Sequence, residues 1–202
     1  MNRVLLFNPR SAKYKPRIPN SILSIASSLE GLYDYVIVDG NMEKDPWEKI
    51  YQYLSTGGFG YFGCTSMPGP QLKQAIPISK NIRNLFPDIK IIWGGYFPSN
   101  QSKVVLNSSY VDFVINGPGE KTFPALLDAL EKNTSFELIH NLIYRFDEKI
   151  VKTARDELYD PDELPPLPYE KTEFILSNSE ISWQNLFRHK NNRLSFQYGL
   201  PF

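Results

Sequence analysis

The chain has 202 residues, with 22 Lys plus Arg against 22 Asp plus Glu, so its charge builds no basic field for nucleic acid or an anionic membrane. A hydrophobic content of 42% supports a real core and excludes wholesale disorder; the length suits one ordinary domain with an appendage, or two small ones. The single cysteine, Cys64, excludes an intrachain disulfide framework and suits a reducing cytoplasm. No apolar run approaches the roughly 18–20 residues of a membrane span, and the opening MNRVLLFNPR is too short for a signal peptide.

In chain order, Arg3–Asn8 (RVLLFN) reads as a strand buried on both faces, closed by Asn8-Pro9. A basic, proline-containing loop, Arg10–Pro19, leads to a helix capped by Asn20, with Ile22, Ile25, Ala26 and Leu29 at helical spacing and Gly31 as its end. Tyr35–Val38 is the second strand, stopped by Asp39-Gly40-Asn41. Asp45-Pro46 opens the next helix in the cap-then-proline arrangement, and Gly57-Gly58 ends it. Gly60–Thr65 is the third strand. The long helix after it carries Leu72, Ala75, Ile76, Ile82, Leu85 and Phe86 on one side, with a kink or break expected at Pro77. Ile89–Trp93 is the fourth strand, ending in Gly94-Gly95; Ser99 or Asn100 caps a short helix with Val104, Val105 and Leu106. The fifth strand, from Val111 to Ile115, runs into Asn116-Gly117-Pro118-Gly119-Glu120 and a helix with Phe123, Leu126, Leu127 and Leu130.

Five compact apolar strands alternating with helices predict an α/β, Rossmann-like (flavodoxin-like) doubly wound fold with a five-stranded parallel sheet. The residues do not dictate strand order; the flavodoxin-like order 2-1-3-4-5 is the expected one. Beyond Asn133 the pattern changes. Leu142–Phe146 and Ile150–Thr153, joined by Asp147-Glu148-Lys149, read as a hairpin; Asp160–Pro168 (DPDELPPLP) is a proline-rich acidic linker, and Arg193–Tyr198 a last strand. The expected division is therefore 1–133 for the doubly wound unit, 134–170 for hairpin and linker, and 171–202 for an extension. In such sheets ligands bind outside the carboxyl ends of the strands. The loops there are Asn8–Pro19, Asp39–Asn41, Thr65–Pro70, Gly94–Pro98 and Asn116–Glu120.

Several nucleotide-binding chemistries fail on the residues. No G-x-x-x-x-G-K-[ST] is present, and Gly117-Pro118-Gly119-Glu120-Lys121-Thr122 lacks the third glycine of G-x-G-x-x-G and follows the fifth strand rather than the first. A phosphoacceptor receiver needs acidic residues where Asn8-Pro9 and Cys64-Thr65 stand. A flavodoxin phosphate loop is not matched by SAKYKPRIPN. No catalytic constellation emerges: His140 and His189 lie outside the five-stranded unit without partners at ligand spacing and read as solvated loop residues, and Cys64 reads as a buried inert thiol. Asp39 either meets a ligand hydroxyl or simply forms its turn. Glu120 either caps its own helix through the dipole or contacts ligand. Trp93 reads as core more than as a stacking platform for ligand, beside Tyr96. The Thr65-Ser66 hydroxyls and the Gly94-Gly95 backbone read as ligand contacts.

Taken together, VLLFNP, VIVDGN, FGCTSMPGPQ, IIWGGYFPS and VDFVINGPGEKTFPALLDAL at the five strands, with the hairpin NLIYRFDEKIVKT and the linker ELPPLPYE, resemble the N-terminal cobalamin-binding domain of cobalamin-dependent radical S-adenosylmethionine enzymes. The likeness covers about residues 3–170. It implies cobalamin at the carboxyl edge of the sheet, with the nucleotide tail beside Thr65, Ser66, Gly94, Gly95 and Gly117–Glu120, and with Asn8, Pro9, Asp39, Met67 and Tyr96 completing the candidate set.

Two departures shape the expectation. The Asp-x-His-x-x-Gly motif whose histidine ligates cobalt in mutase-type domains does not follow the first strand, which implies binding without a protein imidazole on cobalt. The radical domain of such enzymes is announced by Cys-x-x-x-Cys-x-x-Cys, whose thiolates hold an iron–sulfur cluster; here Tyr198-Gly199-Leu200-Pro201-Phe202 places Leu200 where the first cysteine would stand. The expectation is a methyltransferase-like radical enzyme's cobalamin domain, truncated or a fragment, not catalytic alone and holding no iron–sulfur cluster. Phe196, Leu200 and Phe202 are candidates for self-association. Two rival readings remain: a non-enzymatic remnant or interaction protein without cofactor, and a flavodoxin-like module for another small ligand such as a flavin.

Overall fold

The computed structural model of the chain describes residues 2–11, 18–155 and 164–171. The expected strand at Arg193–Tyr198, His189, the C-terminal apolar residues and part of the basic loop and of the linker lie outside the described residues.

The expected strands form, with small shifts at their ends: β1 (Arg3–Asn8), β2 (Tyr35–Asp39), β3 (Phe59–Thr65), β4 (Lys90–Gly94) and β5 (Phe113–Ile115). They pair in parallel in the order β2-β1-β3-β4-β5. The five-stranded parallel sheet is nevertheless a correction. The hairpin β6 (Leu142–Phe146) and β7 (Lys149–Lys152) joins the sheet antiparallel beside β5, giving seven strands of mixed direction. The reason is local. β5 is only three residues long and wholly buried, and β6 supplies both its missing backbone partners and cover for Phe113 and Ile115. Asp147 and Glu148 both take positive φ, which matches the twist of a two-residue hairpin turn.

Alternation along each central strand feeds two cores. Leu5, Phe7, Phe62, Cys64, Ile91 and Trp93 face α2 (Pro46–Ser55), α3 (Leu72–Leu85) and α5 (Ser102–Leu106). Val4, Leu6, Tyr61, Ile92 and Phe113 face α1 (Asn20–Ser27) and α6 (Thr122–Lys132). Asp45 caps α2 as its sequence suggests, its Oδ1 accepting from the backbone N–H groups of Trp47 at 3.0 Å and Glu48 at 3.3 Å. Asn20, by contrast, is the first helical residue of α1; Pro19 holds the capping position and no side chain caps it. α3 runs unbroken through Pro77. After β4 the chain is helical earlier than expected: α4 (Tyr96–Asn100) starts directly on Gly95, so Ser99 and Asn100 lie inside a helix rather than capping one. Pro98 falls in its first turn, where an N–H would have no helical partner.

Candidate functional site

Because β1 to β5 are parallel, the loops that leave them emerge along one edge of the sheet. Between β2 and β1 the edge is closed by a polar pair in register: Asn8 and Asp39 are strand partners, and Asn8 Nδ2 donates to Asp39 Oδ1 at 2.8 Å. The same Oδ1 takes Asn41 N–H at 3.0 Å and Asn41 Nδ2 at 2.9 Å. Arg10 then fastens the β1 loop to the β2 loop, with Nε on the Gly40 carbonyl at 2.8 Å and Nη2 on the Glu43 carbonyl at 2.5 Å.

Across the switch point between β1 and β3 the fastening comes from a buried glutamine. Gln71, 6% exposed, donates Nε2 to the Pro9 carbonyl at 2.9 Å and accepts the Met67 N–H on Oε1 at 2.7 Å. One side chain thus sets the separation of the two loops that flank the crevice. Gln74 adds an acceptor for Arg10 N–H at 2.6 Å.

Between β3, β4 and β5 the backbone itself makes the wall. Ser66 N–H donates to the Gly94 carbonyl at 2.9 Å, and Phe97 N–H to the Ser66 carbonyl at 3.0 Å. Gly95 sits at φ +94, and a Cβ there would lie 2.8 Å from Thr65 Oγ1 and 3.0 Å from Ser66 N. Only glycine fits that conformation and that space. Ser99 Oγ donates to the Gly95 carbonyl at 2.8 Å and accepts Gly117 N–H at 3.0 Å, which couples the last two loops. Gly117 has φ +114 with open space where a side chain would point.

Glu120 does not cap its helix with its carboxylate. Ser24 Oγ, on α1, donates to Glu120 Oε1 at 2.6 Å. Its other oxygen, Oε2, is buried and has no hydrogen-bond partner among the described residues; the same holds for Asp39 Oδ2 and Ser66 Oγ. These three orphaned atoms follow β5, β2 and β3, all at the same edge. β2 and β5 lie four places apart, about 19 Å at ~4.8 Å per strand. An unmet buried acceptor costs about 1–3 kcal/mol, and all three of these atoms lie on one edge.

Other candidates sort themselves. Cys64 is buried, and burial pushes its thiol pKa up, away from reactivity. Trp93 is core, 1% exposed, with its indole N–H on Ser79 Oγ at 3.0 Å. Met67 and Tyr96 are exposed large side chains on the neighbouring β3 and β4 loops, and Pro118 is exposed on the β5 loop. His140 is exposed, yet its carbonyl accepts Thr122 Oγ1 at 3.0 Å at the start of α6, so this histidine stands close to the edge from which sequence separated it. Two concavities, of about 550 and 510 Å³, lie elsewhere: one beside Glu30, Tyr35 and Lys171 at the amino ends of the strands, the other beside Lys103, Arg145 and Lys152. Neither touches the orphaned atoms.

The B12 binding domain family model matches residues 16–127, more than half of the chain. The chain belongs to the B12-binding domain family. Among solved structures, the domain is similar to the radical S-adenosylmethionine methyltransferase TsrM from Kitasatospora setae with cobalamin and an iron–sulfur cluster bound. That match has TM-score 0.68 and 22% identity, over 79% of this chain and 30% of that one. It is also similar to the cobalamin-dependent S-adenosylmethionine radical enzyme OxsB with aqua-cobalamin and S-adenosylmethionine bound. There the TM-score is 0.69 and the identity 19%, over 78% of this chain and 23% of that one. Of the curated proteins, it is 26% identical over 168 residues to the anaerobic magnesium-protoporphyrin IX monomethyl ester cyclase of Synechocystis sp., covering 75% of this chain and 32% of the cyclase. The chain therefore spans about a third of that relative's length.

The B12-binding domain has donor and acceptor groups that fit such a cofactor. Gly95 packs closely against Thr65 and Ser66, Gly117 leaves open space, and the unmet oxygens suit a ligand fringed with amides and hydroxyls. Sequence reading missed Arg10, Ser24, Gln71, Gln74 and Ser99, the residues that tie the loops together. Ser24, Gln74 and Ser99 lie within helices, Gln71 holds the capping position of α3 and Arg10 lies in the β1 loop, and none of these local settings reveals a long-range partner.

Proposed function

We propose that this B12-binding domain holds cobalamin at the carboxyl edge of its sheet, without a protein imidazole on cobalt. In this reading Asn8, Pro9, Asp39, Thr65, Ser66, Met67, Gly94, Gly95, Tyr96, Gly117, Pro118, Gly119 and Glu120 line the cleft, with the nucleotide tail beside Thr65-Ser66, Gly94-Gly95 and Gly117–Glu120. Residues 1–133 carry the cleft, 134–170 are hairpin and linker, and 171–202 are an extension. The observation that carries the proposal is the set of three buried oxygens at one edge without a hydrogen-bond partner among the described residues, beside a turn where Gly95 leaves no room for a side chain. The bound cofactor would supply a methyl carrier. The protein's part is to hold it and keep its edge amides and hydroxyls bonded.

The wider role we infer is the cofactor module of a methyltransferase-like radical S-adenosylmethionine system in a reducing cytoplasm. The 202 residues contain one cysteine, so three thiolates for an iron–sulfur cluster are not available within them.

Titration with hydroxocobalamin, followed by visible spectrum and melting temperature, tests the proposal. A spectral change and a rise in melting temperature are expected. No change in either at high ligand concentration overturns cofactor binding; a thermal shift with flavin instead moves the assignment to a flavodoxin-like module. His140→Ala should leave the bound spectrum unaltered. A changed cobalt spectrum in that variant would instead make His140 an axial ligand.

A further inference from the structure

The three orphaned atoms say something about which part of a ligand this edge grips. Two of them are carboxylate oxygens, and each belongs to a carboxylate whose other oxygen is already fixed. Asp39, 5% exposed, has Oδ1 held by Asn8 Nδ2 and by both the backbone and side-chain N–H groups of Asn41. Glu120 has Oε1 held by Ser24 Oγ from α1. The orientation of both is set before any ligand arrives, and in each the second oxygen is buried without a donor among the described residues. A glutamate just before the first turn of α6 also places negative charge where a helix N-terminus would otherwise attract an anion.

We propose that this edge recognises its ligand through the ligand's own hydrogen-bond donors, received by Asp39 Oδ2 and Glu120 Oε2, and so selects a neutral carboxamide- or hydroxyl-bearing molecule over an anionic phosphate. This rests on the cobalamin reading and makes it more specific. Phosphate groups on a bound molecule are directed away from these two carboxylates, and the parts of the molecule that touch them are amide N–H or hydroxyl groups. Two places on cobalamin meet that description, the carboxamides around the corrin and the ribose hydroxyl of the nucleotide tail.

The test uses the whole 202-residue chain and the variants Glu120→Gln and Asp39→Asn. Each keeps the side chain's shape and can turn the orphaned acceptor into an N–H donor. Hydroxocobalamin and hydroxocobinamide, which lacks the nucleotide, are titrated against all three proteins, with melting temperature measured before and after addition. Both variants are expected to bind hydroxocobalamin about tenfold or more weakly, as loss of a charge-assisted hydrogen bond implies, with unchanged melting temperature before ligand. A loss that persists with hydroxocobinamide assigns the donor to a corrin carboxamide; a loss confined to hydroxocobalamin assigns it to the tail hydroxyl. Equal binding by parent and variants overturns the inference and leaves cofactor binding standing. A fall in the ligand-free melting temperature of both variants also overturns it, because the donors then belong to the chain itself. No binding by the parent removes the cofactor reading and this inference together. A thermal shift of the parent with inorganic phosphate contradicts the preference for neutral donors.

Discussion

The two edges of the sheet are built to different standards. At the amino edge two carboxylates, Glu131 and Glu30, are met by donors of the chain itself. Glu131 Oε1 accepts Asn2 N–H at 3.1 Å, Asn2 Nδ2 at 2.9 Å and the Tyr61 hydroxyl at 2.9 Å. Glu30 takes Lys171 Nζ at 2.6 Å and the Tyr35 hydroxyl, while Lys171 also lies over the Tyr35 ring at 4.3 Å. At the carboxyl edge the loops are tied just as firmly, yet three buried oxygens are left over. Among the described residues, the amino edge holds a concavity of about 550 Å³ and no unmet buried side-chain atom, while the carboxyl edge has three such atoms and the crowded Gly95 turn. Unmet hydrogen-bonding capacity, more than hollow volume, is what separates the two edges among the described residues.

The sharpest break in that contrast is Gly95→Val. Its side chain would enter the space of Thr65 Oγ1 and Ser66 at a φ that disfavours branched residues. We expect loss of cobalamin binding and about 3 kcal/mol of stability, read by titration and denaturant unfolding. Gln71→Leu comes next. It removes both bonds that bridge the β1 and β3 loops, for about 2 kcal/mol, and should weaken binding although no ligand contact is assigned to it. Gly117→Ala should cost about 1–2 kcal/mol through its positive φ, and affinity should fall further than stability does. Gly94→Ala should cost less than about 0.5 kcal/mol, because the nearest atom to an added Cβ is Ile115 Cβ at 4.0 Å; a large loss of affinity with an intact fold would place ligand directly on that strand end.

The amino edge should give the smallest response, and one that depends on pH. Hydrogen bonds from Asn2 and Tyr61 hold the Glu131 carboxyl below its ordinary 4.5, and those from Lys171 and Tyr35 do the same for Glu30. Depressed carboxyl values contribute stability that is present above pH 4.5 and lost as pH falls through the folded values. Both groups lie at the surface in contact with solvent, so screening keeps each contribution small. Melting temperature should fall slightly more steeply with acidification below pH 4.5 in the parent than in Glu131→Gln, while ligand affinity at neutral pH stays the same.

Much of this was legible in the residues. Compact apolar runs such as RVLLFN and GYFGCT marked the central strands, and Asp45-Pro46 announced its helix. The parallel direction of β1 to β5 followed from the alternation of strand and helix, whereas their order came only by analogy with flavodoxin-like sheets. What stayed hidden was non-local. Nothing near Gln71 reveals that it reaches Pro9, nothing near Ser24 points to Glu120, and a hairpin motif carries no mark of the strand it will pair with. Ser99 was misread as a cap because local rules place serines at helix starts. Its actual task, coupling Gly95 to Gly117, depends on two strands meeting in space.

The late hairpin has a consequence for how the molecule comes into being. β5 is the shortest strand of the sheet and its residues are fully covered, but part of the cover is Leu142, Ile143 and Tyr144, some thirty residues downstream in the chain. During synthesis Phe113, Val114 and Ile115 must wait as a raw edge until that segment has emerged. Lys149 and Lys152 then leave charge on the outer strand, discouraging a neighbouring chain from pairing there. The wall that carries Gly117 and Glu120 is thus secured last, and limited proteolysis of the finished protein should find protection continuing past Asn133 to about Thr153.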